Sequence, residues 1–278
     1  MTKLLSAGFY RLFKSRIFWI MLVICVLIQV LVCVDNFRFE QERPEYTVIL
    51  DDIVFSILPA IGFISSALIS MLLGEEYSDG VVRNKLTVGH RRSDIYFANL
   101  IVCTAGSFLT LAALFLSGGL LGFALFGGFT YDAGTLFRLF LCSFLLTAAL
   151  SAINVLVVMS CQNKAVAAVL SLGLVLVMVF AASYLDGVLN EPEMQYGAMV
   201  MDENGVMEFE DLAPNPRYVS GMTRTVMAYA EDIIPMGQAI QLNNFALERS
   251  ARWPLLSIAV FTAVSALGYV LFKKKDIK

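Results

Sequence analysis

A single histidine, His90, limits the catalytic chemistry open to this chain of 278 residues. It excludes the zinc-protease pattern H-E-x-x-H, and it leaves no Ser-His-Asp arrangement within the apolar segments. Glu75 and Glu76 form a carboxylate pair, but no histidine lies in an apolar segment to act with them. Lys14 is the only lysine followed by serine or threonine, and no glycine-rich phosphate loop precedes it. The sequence therefore predicts no catalytic, metal or cofactor site.

The composition indicates an integral membrane protein. Hydrophobic residues make up 58% of the chain and charged residues 15%. In a soluble globular protein, about half of the residues are hydrophobic and about a quarter are charged. A helix needs about 20 apolar residues to cross the hydrocarbon core of a bilayer. Six segments meet this need: residues 17–34, 53–73, 95–126, 136–160, 165–185 and 254–272. We therefore expect an all-α integral membrane protein with six transmembrane helices.

Two of these segments contain residues that interrupt helices. The third segment is too long for one crossing, and Gly118, Gly119 and Gly122 predict that its helix ends or bends there. Pro59 in the second segment, close to Gly62, predicts a kink.

The positive charges predict that both chain ends face the cytoplasm. Six spans put the two ends on one side, and that side with its two connectors holds thirteen of the twenty lysines and arginines. By the positive-inside rule this is the cytoplasmic side of the cell membrane. Residues 74–94 then lie in the cytosol, and residues 35–52 and 186–253 lie outside. A cysteine at Glu203 should therefore react with an impermeant thiol reagent added outside, and one at Lys274 should not.

Residues 1–16 have the pattern of an interfacial helix on the inner leaflet. Its apolar and basic residues take opposite faces of a helical wheel: Leu5, Phe9, Leu12 and Phe13 against Lys3, Arg11 and Lys14. We expect the basic face to contact lipid headgroups. The alternative is a frayed start of the first span.

Three polar side chains stand out within the apolar segments: Gln29, Asn99 and Asn154. Each could form an interhelical hydrogen bond or line a substrate pathway. The segments contain no Asp, Glu or Lys, and Arg138 lies near one predicted outer end. Ion-coupled carriers usually keep an ionisable group at mid-depth, so the pattern disfavours a secondary transporter.

Residues 74–94 predict a short helix on the cytosolic membrane surface. A turn at Gly80 and a stop at Gly89 bound the sequence VVRNKL. Val82 and Leu86 lie four residues apart in it and share one helical face. Such a helix offers a docking surface to a cytosolic partner. The alternative is a solvated loop whose positive charges only set the topology.

The same stretch, EEYSDGVVRNKLTVGHRRSDIYFANLIV, resembles the segment between the second and third spans of type-2 ABC transporter permeases. Those subunits show an acidic residue, a small-residue turn, the pattern G-[TV]-[IV]-R-N-K-L and a Gly-x-x-Arg step. RLFKSRIFWI before the first span and DIIPMGQAIQL before the last are also similar to the family. The resemblance implies a set of residues that couple the permease to its ATPase. They are Glu75, Glu76, Gly80, Arg83, Lys85, Leu86, Gly89 and Arg92.

The resemblance also implies a mode of action. Permeases of this family have no ATPase site, because ATP is bound by separate nucleotide-binding subunits that pair with two permeases, identical or homologous. Residues 1–278 would then form a single permease domain of an ATP-driven exporter, in contact with membrane lipid and with no nucleic acid. The size is typical of bacterial members that export a peptide, an antimicrobial or another amphipathic or lipid-like substrate. The alternatives are a secondary transporter or channel and a non-transporting scaffold or sensor.

Residues 186–253 are predicted to form loops and one helix. Prolines and glycines interrupt most of this external segment. Residues 222–234 predict a helix with one apolar side, made of Met222, Val226, Met227, Ala230 and Ile234. That side could enter the outer leaflet and cap a pathway, or it could pack on the spans.

Overall fold

Helices make up most of the protein in the computed structural model, which describes residues 1–161, 163–196, 199–201, 207–209 and 212–275. In chain order they are α1 (Thr2–Lys14), α2 (Arg16–Glu42), α3 (Leu50–Phe55), α4 (Leu58–Ser78), α5 (Val81–Thr87), α6 (Arg92–Phe126), α7 (Ala133–Ser160), α8 (Lys164–Leu189), α9 (Gly221–Ile233), α10 (Pro235–Asn243) and α11 (Trp253–Lys274). A 3-10 turn, Leu247–Arg249, precedes α11. Four short strands, β1 (Met194–Tyr196), β2 (Met199–Met201), β3 (Met207–Phe209) and β4 (Leu212–Pro214), form the antiparallel pairs β1–β4 and β2–β3. Glu203 lies outside the described residues.

Six spans are present in the described part of the chain: α2, α3 with α4, α6, α7, α8 and α11 are long and apolar enough to cross a membrane. This confirms the predicted all-α membrane fold, in which helices satisfy their backbone hydrogen bonds internally as lipid requires. α4 and α7 are mostly buried, whereas only about a fifth of α2, α8 and α11 is buried (22%). Leu31, Val169, Phe180 and Leu255 are each 66% exposed or more, as expected of side chains that meet lipid tails.

The two ends of the bundle carry different elements. One end, which we call the terminal face, holds α1, α5, the α7–α8 connection and the end of α11. The other, the far face, holds α3, α9 and α10. Each end has its own apolar core: Leu12, Tyr96 and Phe272 belong to the first, and Phe55 and Trp253 to the second.

α6 runs as one helix through the glycines that were expected to end or bend the third span. Its 35 residues correspond to about 52 Å of helix, more than the hydrocarbon core of about 30 Å. A Cβ atom at Gly118 would lie 2.6 Å from Gln29 Nε2, and one at Gly122 would lie 2.5 Å from Leu50 Cδ1. These two glycines therefore allow close packing against α2 and α3, and they do not end the helix.

The second span is interrupted at residues 56–57, between α3 and α4. Pro59 lies in the first turn of α4, where its missing N–H leaves no hydrogen bond unmade. A Cβ atom at Gly62 would lie 2.6 Å from Met236 Sδ. α10, which the sequence did not predict as a separate helix, thus packs directly on α4 just beyond the break.

The predicted helix of the long segment is α9 (Gly221–Ile233), which confirms its position. The predicted apolar side is divided. Met227, Ala230 and Ile234 are half-buried, whereas Met222 and Val226 are exposed.

Candidate coupling site

Side-chain contacts bring both chain ends and both predicted cytosolic connectors to the terminal face. Arg92 Nη1 donates a hydrogen bond to the carbonyl oxygen of Phe272 at 3.0 Å, close to the end of α11. Lys275 Nζ donates to the carbonyl oxygens of Met159 and Cys161 at 2.9 and 2.8 Å. These elements therefore share one end of the bundle, as the predicted topology requires.

The carboxylate of Glu76 lies at the centre of this face, and its side chain is fully buried. It forms an ion pair with Arg11 of α1. Lys85 Nζ of α5 lies 2.7 Å from Oε1, and Asn99 Nδ2 of α6 donates to Oε2 at 3.1 Å. One side chain of α4 thus joins the N-terminal helix, the short helix and the third span. We call these four residues the Glu76 junction.

The Glu76 junction joins four helices through charged groups. Two cations, Arg11 and Lys85, share one buried carboxylate. Removing one partner of a buried ion pair typically costs about 3–5 kcal/mol, because the remaining charge is left without compensation in a poorly solvated place. The four helices are therefore expected to move together at this point.

Two glycines bound α5. Gly80 precedes the helix with φ +66°, and Gly89 follows it with φ +92°. A side chain rarely adopts these left-handed conformations, so glycine suits both turns. A Cβ atom at either residue would meet nothing within 4 Å, so their role is in the backbone conformation. The predicted short helix between the second and third spans is confirmed.

α5 divides into an inner and an outer face. Val82 is buried, Leu86 packs on the core of the terminal face, and Lys85 points to Glu76. Val81 is half-buried. Four other side chains, the last of them just after the helix, are exposed and form what we call the exposed face of α5. They are Arg83, Asn84, Thr87 and Val88.

Only Arg83 of the three side chains predicted on this helix is therefore available to a partner. Lys85 and Leu86 face the protein's own interior. Val88, which is 78% exposed, was not among the predicted residues. Asn84 and Thr87 were also missed. Asn84 lies four residues before Val88, and Thr87 lies four residues after Arg83, so each pair shares one side of a helix.

Glu75 and Arg92 connect spans rather than extend from the surface. Glu75 Oε1 lies 2.9 Å from Lys164 Nζ at the start of α8, in a pair that is partly exposed. Arg92 donates to carbonyl oxygens at the end of α11 and of Lys275, which directly follows it. Such carbonyl groups have no partner within the helix, so Arg92 caps α11.

The three candidate pathway residues have different environments. Gln29 Nε2 donates to the carbonyl oxygen of Ile53 at 2.9 Å, and Asn99 donates to Glu76. Both therefore form interhelical hydrogen bonds. Asn154 is fully buried, and neither of its amide atoms has a hydrogen-bond partner among the described residues.

Arg11 is the main residue that sequence reasoning misplaced. The helical wheel put it with Lys3 and Lys14 on the face expected to meet lipid, but its guanidinium pairs with Glu76. Lys3 and Lys14 are exposed, as expected.

These features define a multi-pass membrane protein whose terminal face carries a short, braced helix between the second and third spans. A model of the family described as ABC-2 family transporter protein matches residues 4–182, which is more than half of the chain. The chain therefore belongs to this family of ABC transporter membrane permeases. The matched part contains most of α1, all of α2 to α7, most of α8 and every residue of the Glu76 junction. No curated protein matches the chain in sequence.

Proposed function

We propose that the chain is the permease subunit of an ATP-driven exporter and that a separate nucleotide-binding subunit docks on the exposed face of α5. Membership of the ABC-2 permease family supports the pairing with an ATPase. The observation that carries the proposal is the Glu76 junction, which ties α5 to three other helices through one buried carboxylate.

The junction supplies a path for force. A displacement of α5 would be transmitted to Glu76 through Lys85. α4 and α6 would move with it, because Glu76 belongs to α4 and its partner Asn99 to α6. Val82 and Leu86 add apolar contact with the same core. Closure of an ATPase pair against α5 would thus shift the second and third spans as a unit, the kind of rigid-body movement that switches transporters between states.

The proposed orientation puts the terminal face in the cytoplasm and the far face outside. Twelve of the twenty lysines and arginines lie in the described segments that meet at the terminal face, in accord with the positive-inside rule. Lys3 and Lys14 are the exposed cations of α1 and would contact anionic headgroups of the cell membrane. Arg11 would not, because Glu76 holds it.

The interior of the bundle supports an amphipathic or apolar substrate such as a peptide, an antimicrobial or a lipid. The polar side chains buried along α4, α6 and α7 between the two faces are neutral serine, threonine and asparagine residues. Asn154 is the one with both amide atoms unpartnered among the described residues. A second permease, identical or homologous, completes the assembly.

Charge reversal on the exposed face of α5 tests the proposal. The full chain is purified from its native membrane, and the co-purifying ATP-binding subunit is identified and assayed for ATP hydrolysis. We expect Arg83→Glu to lose most of that subunit, because a reversed charge opposes its former partner. Arg38→Glu is the matched control, since Arg38 is equally exposed but lies near the opposite end of α2. Equal recovery of the ATPase with both variants would refute the docking site.

A further inference from the structure

A cleft of about 490 Å³ opens at the far face, between the end of α8 and the start of α11. Leu189 lines one wall and is the last residue of α8, and Arg252 lines another and directly precedes α11. Because two apolar helices long enough to span a membrane end here, we expect the cleft to lie near the boundary between hydrocarbon and lipid headgroups. Arg224 and Thr225 of α9 complete it on the outer side.

Two of the three arginines in the cleft form ion pairs with buried acidic side chains. Arg249 lies 2.6 Å from Glu231 and 3.5 Å from Asp232, and Arg252 pairs with Asp232. Both carboxylates are fully buried. These three ion pairs fix the positions of Arg249 and Arg252 in the cleft.

The third arginine, Arg224, forms no ion pair with an acidic side chain in the described part of the chain. Arg224 donates to the carbonyl oxygens of Leu189 at 2.6 Å and Val219 at 3.4 Å, and its guanidinium lies 4.9 Å from the Tyr218 ring centroid. No carboxylate in the described part of the chain lies within ion-pair distance of it. Glu248 also lines the cleft and is exposed on its rim. A guanidinium has five N–H donors, so Arg224 retains donors for a ligand.

The helix above the cleft presents an apolar stripe outward. Met222, Val226, Tyr229 and Ile233 are 83%, 60%, 48% and 46% exposed and follow one another by three or four residues. The charged residues Glu231 and Asp232 of the same helix point inward. A helix surrounded by water has the reverse arrangement, whereas a helix at a membrane boundary turns its apolar face to lipid.

We propose that this cleft binds the headgroup of a phospholipid from the leaflet at the far face, with the phosphate on Arg224 and the acyl chains along the stripe of α9. Guanidinium groups pair with phosphate oxygens through two parallel N–H donors. Arg224 can bind phosphate in this way, because backbone carbonyl groups fix its position without compensating its charge. The position of the cleft at the ends of two spans and the adjacent apolar stripe favour a lipid over a free anion.

Binding of purified full-length protein to phosphatidylglycerol in detergent micelles tests this proposal, with diglucosyl diacylglycerol as the lipid that lacks phosphate. We expect phosphatidylglycerol to raise the melting temperature and the glycolipid to leave it unchanged. Arg224→Gln should weaken phosphatidylglycerol binding roughly tenfold, the size of one charge-assisted hydrogen bond. Arg38→Gln, which removes an exposed charge outside the cleft, should bind as the wild type does.

Three results would overturn the proposal: unchanged affinity in Arg224→Gln, equal effects of the two lipids, or an equal rise in melting temperature with inorganic phosphate alone. The last would indicate an adventitious ion only. If Arg224→Gln does not fold, the affinity of Val226→Ser for phosphatidylglycerol tests the proposal instead. Val226 is 60% exposed, so its substitution leaves the core intact. A several-fold weaker affinity would then support the lipid site, and an unchanged affinity would refute it.

Discussion

Lys85 of the short helix α5 points inward, and its ammonium lies 2.7 Å from the buried carboxylate of Glu76 on α4. This pair, with Arg11 and Asn99 on the same carboxylate, makes α5 an integral part of the bundle. A solvated loop that only set the topology would have no such anchor.

Neutralising the centre of the junction should destabilise the protein strongly. Glu76→Gln leaves Arg11 and Lys85 facing each other without a counter-charge, and we expect a loss of about 3–5 kcal/mol in the free energy of unfolding. Thermal unfolding in detergent measures it. Glu75→Gln is the control, because its pair with Lys164 is partly exposed and such pairs contribute about 0–1 kcal/mol. Equal effects of the two variants would show that Glu76 is not a special anchor.

The basic residues of α1 should separate into two functions. Arg11→Gln should lower thermal stability, since it breaks a pair with a buried carboxylate. Lys3→Gln combined with Lys14→Gln should leave stability unchanged and weaken binding to anionic vesicles, by on the order of 1 kcal/mol per lysine. Stability loss in the double lysine variant would place these two side chains in the protein interior as well.

Leu86 and Val88 should respond differently to truncation. Leu86 packs on the protein's own core, so Leu86→Ala should lower stability by about 1–2 kcal/mol, less than for a fully buried leucine. Val88 is 78% exposed, so Val88→Ser should leave stability unchanged and reduce recovery of the ATPase. Melting temperature and co-purification, measured on both variants, distinguish the two roles. A stable Leu86→Ala variant that loses the ATPase would contradict the inner position of Leu86.

Glu231 should make the stability of the far face depend on pH. Burial raises the pKa of Glu231 to about 7 from its usual 4.5, and the hydrogen bond from Arg249 opposes this only in part. The folded state therefore binds more protons than the unfolded state between these two values, so stability falls as pH rises from about 4.5 to about 7. We expect a higher melting temperature at pH 5 than at pH 8, and a smaller difference in Glu231→Gln. An unchanged pH profile in that variant would assign the effect to other groups.

Thiol labelling in intact cells tests the proposed orientation. Thr223 is exposed on α9, and Thr223→Cys should react with an impermeant reagent added outside. Lys274→Cys, near the end of α11, should not react until the membrane is opened. Four of the five native cysteines are buried, and the unsubstituted protein provides the background. The reverse pattern would place the terminal face outside and exclude ATPase docking there.

Sequence patterns predicted the elements of this fold better than the directions of its side chains. The six spans, α5 with its bounding glycines and α9 follow from hydropathy and turn residues within single segments. Arg11 was assigned to the wrong surroundings, and the inward positions of Lys85 and Leu86 were not predicted. The reason is that a helical wheel shows which residues share a face, not which neighbour that face meets. The glycines of α6 were read as helix breakers, whereas Gly118 makes room for Gln29 of another span. Such contacts depend on the packing of distant segments.

The docking of an ATPase on α5 is the central claim, and site-specific photo-crosslinking from position 88 tests it most directly. A photoreactive amino acid in place of Val88 should capture an ABC-type ATP-binding subunit in membranes of the native host, identified by mass spectrometry. The same amino acid in place of Thr223 on the far face should not capture it. Capture from position 88 alone is the predicted result, and failure to capture an ATPase there while the protein is inserted and folded would contradict the account.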